Sequence, residues 1–167
     1  MKTVSKGNKI SLTKAINIMF PAMKYGLENG FKECVKFFIY DLARPLFYDF
    51  SPKFFVSDII QLNLKYQEIL QLSEYSKGKI YDILNNETMN VHKEHMTPNK
   101  AIGNKLLEYD NSSDFEDFIR ENYAIAIITK EENKKLDNGG YKSNRSNLKE
   151  AFCAYKQMGI NINEIKF

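Results

Sequence analysis

The chain contains no tryptophan, only two cysteines and only two histidines among its 167 residues. The cysteines, Cys34 and Cys153, lie far apart and form no C-x-x-C pair, so a disulfide framework is not expected. So few cysteines are typical of a protein in a reducing compartment, and we expect a cytoplasmic location. A structural zinc site is not expected either, because the cysteine and histidine ligands that it needs are too few.

Long apolar runs and glycine clusters are also missing. No stretch approaches the roughly 18 apolar residues that span a membrane, so we expect no membrane partner. Residues 15–23 are fairly apolar, but Asn17 and Pro21 interrupt them and no cleavage site follows, so a signal peptide is not expected. The close pair Gly139-Gly140 follows a predicted helix and does not open one, which argues against a P-loop, a Rossmann site or a G-x-S-x-G elbow.

The length and the composition of the chain favour one globular domain over residues 1–167. Hydrophobic residues make up 43% of the chain, and twelve Phe and ten Tyr supply material for its core. A chain of this length buries roughly two-thirds of its unfolded surface and needs no covalent staple. Within the domain we predict a helical part over 1–87, a mixed part over 88–140, and a C-terminal loop and helix over 141–167.

The first half has the periodicity of helices. Apolar residues at helical spacing predict a helix over 31–43. A preceding helix is predicted over about 11–28, which Pro21 should kink or divide because proline lacks the backbone N–H. Ser51-Pro52 is typical of a helix start and predicts a third helix after it.

The second half mixes strands with helices. The apolar run 123–128 is the best strand in the chain, and residues 89–96 are short enough to be extended as well. Thr129 and Glu132 form a capping box, so the strand over 123–128 should lead directly into a helix.

Three further helix starts are predicted. Thr97-Pro98 is typical of the first. Ser113 with Glu116 forms a capping box for the second. The third helix begins near Leu148, which lies on its apolar face. The fold class that we predict is therefore α+β and mostly helical. The helical N-terminal half should pack on a small β-hairpin-plus-helix unit.

The residues best suited to chemistry lie in the predicted extended segment. His92 and His95 are three residues apart and would point to opposite faces of a strand, so we do not interpret them as a pair of metal ligands. Glu94 and His95 are more informative. The Glu94 carboxylate can hold a divalent cation, while the His95 imidazole, on the opposite face of the strand, can take a proton from water. Asn133, near the start of the helix after the strand, offers an amide oxygen as a second ligand for a hard cation.

This combination resembles the HNH endonucleases, also called His-Me finger nucleases. The resemblance covers residues 91–137: an acid-histidine pair with a proline nearby, then a strand, then a helix with Asn in its first turns. It implies a ββα-metal core in which Glu94 is a metal ligand, His95 is the general base and Asn133 is the second metal ligand. Asn122 is the candidate for the central Asn that orients the histidine in that family.

The function implied is a metal-dependent endonuclease that hydrolyses phosphodiester bonds with one Mg²⁺ or Mn²⁺ ion. Nucleic acid is the expected partner, with DNA as the expected form. Lys130 and Lys134 are candidate contacts to its phosphates. Residues 1–24 hold five lysines and no acid, and such segregated charge can steer a polyanion or be a solvated basic tail. The sequence does not fix the oligomeric state.

The alternative is a non-enzymatic helical module that binds a protein or nucleic-acid partner through its basic tail and aromatic surface. Metal dependence separates the two. A nuclease of this kind stops in chelator, whereas a binding module responds to salt.

Overall fold

The structure, a computed structural model, describes residues 11–33, 53–62 and 90–165. The fold is α+β and mostly helical, as the sequence predicted. No helix within the described ranges combines the length and the apolar character needed to cross a membrane. The described helices are α1 (Leu12–Glu28), α2 (Asp58–Gln61), α3 (Asn99–Glu108), α4 (Ser112–Asn122), α5 (Lys130–Asn138) and α6 (Leu148–Gln157). The described strands are β1 (Lys53–Ser57), β2 (Val91–His95), β3 (Ala124–Thr129) and β4 (Ile162–Ile165).

The described residues fall into two compact units. The first contains α1 and residues 102–120. The second contains residues 53–62, 90–101 and 121–165, and therefore the whole four-stranded sheet. Most of the predicted helix over 31–43 lies outside the described residues.

Helix α1 occupies the range that the sequence predicted. Ser11 caps it, since its side chain accepts a hydrogen bond from the Lys14 amide at 3.2 Å. Pro21 does not divide the helix, so of the two predicted effects only a kink is compatible with the structure. Pro21 is exposed, and the carbonyl that loses its partner there can be hydrated instead. On the buried side, the Phe20 ring packs 5.8 Å from Phe115.

The start of α4 corrects a predicted cap. Asn111, and not Ser113, is the capping residue, because its side-chain oxygen accepts from the Asp114 amide at 3.0 Å. Glu116 is buried instead of reaching back to the helix start. It accepts hydrogen bonds from Thr13 Oγ1 at 2.7 Å and from Arg120.

The sheet has the strand order β2-β3-β1-β4. β3 pairs with β2 antiparallel and with β1 parallel, and β4 pairs antiparallel with β1. The helix predicted after Ser51-Pro52 is wrong over Lys53–Ser57, which forms β1. Phe54, Phe55 and Val56 favour a strand, and pairing with β3 outweighs the weak helical spacing.

The order strand, strand, helix that the HNH resemblance implies is present in β2, β3 and α5. β2 and β3 are neighbours, but α3 and α4 connect them, so they do not form a β-hairpin joined by a turn. α5 follows β3 without a loop through the predicted capping box. Thr129 Oγ1 accepts from the Glu132 amide at 3.1 Å, and the Glu132 carboxylate accepts from the Thr129 amide at 2.8 Å.

One face of the sheet is covered by α5 and α6. Leu136 of α5 and Tyr155 of α6 pack in one apolar cluster with Phe55, Ala126 and Ile128 of the strands. Burial of these side chains is the main force that holds the two helices on this face. The cluster also fixes the position of the polar side chains of β2 that share the face.

Candidate functional site

The side chains of β2 alternate between the two faces of the sheet. Glu94 pairs with Ala126 and His92 with Ile128, and both partners belong to the cluster that α5 and α6 cover. Neighbouring residues of a strand point to opposite faces, so Glu94 and His92 share this face and His95 lies on the other. The prediction that the two histidines face opposite ways is thus confirmed.

Glu94 is held by two partners. Its Oε2 lies 3.1 Å from Nε2 of His92, and its Oε1 accepts a hydrogen bond from Nη2 of Arg145. The Glu94 side chain is 15% exposed, that of His92 is 39% exposed, and that of Arg145 is 1% exposed. The carboxylate therefore lies between a buried cation and an imidazole that reaches solvent.

Arg145 comes from the loop between α5 and α6. Gly140 opens this loop with φ +81°, a conformation that favours glycine, and its carbonyl accepts from Nδ2 of Asn144 at 2.8 Å. The loop ends at Asn147, which caps α6 by accepting from the Glu150 amide at 2.9 Å. Both ends of the loop are thus fixed, and Arg145 is placed against Glu94.

Three polar atoms close to Glu94 lack a hydrogen-bond partner within the described structure. They are Nε and Nη1 of Arg145 and the hydroxyl oxygen of Tyr155, all of them buried and without a partner of good hydrogen-bond geometry. The Arg145 guanidinium still lies close enough to the Tyr155 oxygen to act on it as a hydrogen-bond donor. A buried donor without an acceptor is costly, because it gives up its hydrogen bonds to water.

The charges and hydrogen bonds around Glu94 keep its carboxylate ionised. Burial raises the pKa of Glu94, but the hydrogen bond from His92 and the charge of Arg145 together outweigh burial and hold the pKa below its usual value. For Tyr155, burial and the neighbouring charge of Glu94 raise the pKa above its usual value, so the phenol keeps its proton.

His95, the predicted general base, has a different environment. It is 8% exposed, and its ring stacks on that of Tyr123 with 5.9 Å between the centroids. The Tyr123 hydroxyl oxygen lies 3.5 Å from Nδ1 of His95. Burial, together with the positive charge of Lys93, lowers the pKa of His95 to about 4. The structure does not bring the His95 imidazole to the Glu94 carboxylate.

The other predicted residues lie on or near α5. Asn133 is half-buried in this helix, which packs on β2 and β3. Lys130 and Lys134 are exposed, one helical turn apart on the same side of α5. Asn122, the candidate for orienting the histidine, accepts a hydrogen bond from the Leu148 amide at 3.2 Å through its side chain. That bond fixes the start of α6.

The Glu94–His92 pair has a separation that suits a metal ion. The 3.1 Å contact is a hydrogen bond in this structure. Two ligand atoms about 2.1 Å from one cation and at right angles to each other also lie roughly 3 Å apart, so the pair could hold an ion once the imidazole nitrogen gives up its proton. Within the described residues, no group of three His, Cys, Asp or Glu side chains is placed to hold a metal ion. An ion at this pair would therefore take its further ligands from water or from substrate, as Mg²⁺ commonly does.

Sequence reasoning missed His92, Arg145 and Tyr155. His92 could have been found, because residues two apart on a strand share a face and Glu94 was already a candidate. Arg145 could not, since it lies 51 residues beyond Glu94 in a polar loop that has no motif. Tyr155 had the spacing of a core residue, and it is one.

No family model, curated protein or solved structure matches this chain. Function therefore has to follow from the geometry of Glu94, His92 and Arg145.

Proposed function

We propose that this chain is a metal-dependent endonuclease that hydrolyses phosphodiester bonds of nucleic acid, with DNA as the expected substrate. The observation that carries the proposal is the 3.1 Å separation of Glu94 Oε2 and His92 Nε2 on one face of the edge strand β2. A carboxylate oxygen and an imidazole nitrogen together suit Mn²⁺, and the carboxylate suits Mg²⁺.

Arg145 has a positioning role in this proposal. It takes Oε1 of Glu94 and so leaves Oε2 on the side of His92, which is the side that reaches solvent. A ligand that is fixed by a partner of its own presents its lone pair in one direction. Burial of Arg145 makes this orientation firm, because the guanidinium has no room to turn away.

The ion, when bound, would stabilise negative charge on the phosphoryl group and lower the pKa of an attacking water. His92 is the proposed second protein ligand beside Glu94, on the same face of the sheet. The HNH resemblance gives His95 the role of general base on the opposite face; because His95 is buried against Tyr123, we do not assign it that role. The further ligand that the resemblance implies, Asn133, stays a prediction. The succession of β2, β3 and α5 supports the likeness to the HNH core.

The proposed contacts to the nucleic-acid backbone are Lys130 and Lys134. Both are exposed at the first two turns of α5, where the helix dipole also favours an anion. Such contacts release counterions, so binding should weaken as salt rises.

The test is cleavage of supercoiled plasmid and of single-stranded RNA by the purified chain in Mg²⁺ or Mn²⁺, with EDTA as a control. Glu94→Gln is the matched variant, because it keeps the shape of the side chain and removes its charge. We expect cleavage of DNA that is lost in EDTA and reduced about 10- to 100-fold in Glu94→Gln. If folded wild-type protein cleaves neither substrate in either metal, the proposal is wrong and the non-enzymatic binding module takes its place.

A further inference from the structure

Helix α1 carries apolar side chains on two opposite sides. One side is buried and includes Ile16, Phe20 and Met23. On the other side, Ile18 is 57% exposed and Tyr25 is 68% exposed. A surface helix of a globular protein normally turns polar residues to solvent, so a second apolar face indicates a partner that covers it.

The exposed apolar side chains form one stripe along α1. Residues three or four apart lie on the same face of a helix. The exposed apolar residues with this spacing are Ile18, Pro21, Ala22 and Tyr25, which we call the α1 stripe. Ile18 and Tyr25 lie at equal distances from its middle. The small side chain of Ala22, next to that middle, lets a second helix approach closely.

Two charged residues flank the α1 stripe on the same face. Lys14 lies in the first turn of α1 and Glu28 ends the helix, and both are exposed. Each is at the end that its charge does not suit, because a helix favours anions at its N-terminus and cations at its C-terminus. Within the described ranges neither residue belongs to an ion pair. Their placement therefore gives α1 by itself no electrostatic benefit.

We infer that the α1 stripe binds a second copy of this chain, whose own α1 lies antiparallel to the first. In a two-fold symmetric contact, residue i meets residue j of the second copy and j meets i. Antiparallel pairing about the middle of the stripe brings Ile18 to Tyr25 of the second copy. It also brings Lys14 to Glu28 of the second copy, and each charge to a helix end that favours it. The inference goes beyond the proposed function and does not depend on it.

The dimer should be weak. From Lys14 to Glu28 the face is about 21 Å long, at 1.5 Å of rise per residue. One helix face of this length supplies less than the roughly 800 Å² per partner of a standard interface. We therefore expect a dissociation constant on the order of 100 μM at low salt. Association should weaken as salt rises, because the two ion pairs lie at the exposed ends of the contact.

The first test is sedimentation equilibrium of the full chain from about 5 μM to about 1 mM, a range that brackets the expected dissociation constant. Ala22→Arg puts a long cation beside the two-fold axis, where the same cation of the second copy meets it. Asn104→Arg is the matched control, since it adds the same side chain at an exposed helix position of the same compact unit. Arginine is a good helix former, so both variants should fold, and urea denaturation checks this. We expect wild type and Asn104→Arg to dimerise alike, and Ala22→Arg to associate at least about 10-fold more weakly.

The second test exchanges charges and addresses the antiparallel geometry. Lys14→Glu and Glu28→Lys should each weaken self-association roughly 10-fold, because like charges then meet twice across the axis. An equimolar mixture of the two variants should associate as strongly as wild type. In the mixed dimer both contacts join opposite charges again.

Several outcomes overturn the inference. Wild type that stays monomeric up to about 1 mM at low salt would show that no second copy binds, on the affinity expected here. If that monomer sediments with phosphatidylcholine vesicles, the stripe meets a lipid surface instead. Equal association of Ala22→Arg and wild type would place the contact on another surface. Association lost in Ala22→Arg but not recovered in the mixture would exclude antiparallel pairing. None of these results depends on cleavage, so the inference and the nuclease can fail separately.

Discussion

Glu94 and His95 are consecutive in β2, yet their side chains lie on opposite faces of the sheet. Glu94 faces His92 and Arg145, whereas His95 stacks on Tyr123. The alternation of a strand makes this separation unavoidable. The histidine that can share a metal ion with Glu94 is the one two residues away, not the adjacent one.

The first prediction separates the two histidines. His92→Ala should lower the rate of metal-dependent cleavage about 10- to 100-fold, because it removes a nitrogen 3.1 Å from the Glu94 oxygen. His95→Gln should change the rate little once folded protein is compared at equal concentration. Initial rates on supercoiled plasmid in Mn²⁺ measure both. A loss in His95→Gln with full activity in His92→Ala would restore His95 as the base and contradict our assignment.

The second prediction concerns the ion pair of Arg145 and Glu94. Arg145→Met should destabilise the fold by roughly 3 kcal/mol, because Glu94 is left as a largely buried carboxylate without its cation. Adding Glu94→Gln to that variant should recover part of the loss, with a coupling energy of about 1–3 kcal/mol. Urea denaturation of the wild type, both single variants and the double variant completes the cycle. Strict additivity would mean that the two side chains do not interact.

The third prediction is a loss of stability as the pH falls below neutrality. His95 has its folded pKa lowered to about 4 from 6.5, so between these values the unfolded chain binds a proton that the folded chain does not. The free energy of unfolding should therefore fall by roughly 3 kcal/mol from pH 7 to pH 4, about 2 kcal/mol of it by pH 5.

The control for that pH dependence is His95→Gln, which cannot titrate. It should lose little stability between pH 7 and pH 5. Glu94 does not interfere in this window. Its lowered pKa gives a contribution that is present above the usual carboxyl pKa and is lost as the pH falls through that value toward the lowered pKa of the folded chain. If the free energy of unfolding falls equally with pH in wild type and in His95→Gln, then His95 is not buried from water in the way that the structure shows.

The fourth prediction tests the helix cap at the start of α4. Asn111→Ala should cost about 1 kcal/mol of stability, because it removes the acceptor for the Asp114 amide. Ser113→Ala, two residues away and exposed, should be close to neutral. Thermal or urea denaturation of the two variants decides between them. A larger loss in Ser113→Ala would support the capping box that the sequence predicted there.

Local patterns predicted the elements whose own residues decide their conformation. The apolar run of β3, the Thr129–Glu132 capping box and the range of α6 all follow from neighbouring residues, and the structure confirms them. The prediction for β1 was wrong because the conformation of this segment depends on pairing with β3, which lies about 70 residues further along the chain. β4 was missed because a four-residue strand has too few residues to show a pattern.

The candidate site was predictable only in part, because some of its residues meet through contacts between distant parts of the chain. Glu94 was identified from its own segment, and alternation on a strand was enough to add His92. Arg145 reaches Glu94 only because the loop after α5 returns to β2, and no local pattern records that. Tyr155 is indistinguishable from other core aromatics until the neighbouring charges are placed.

Manganese binding tests the central claim most directly. Electron paramagnetic resonance of Mn²⁺ titrated with the full chain counts bound ions without any need for a substrate. We predict one Mn²⁺ per chain, with affinity reduced at least about 10-fold in Glu94→Gln and in His92→Ala and unchanged in His95→Gln. No bound Mn²⁺ in folded wild-type protein, or equal affinity in Glu94→Gln and wild type, would contradict the proposed metal site and the nuclease built on it.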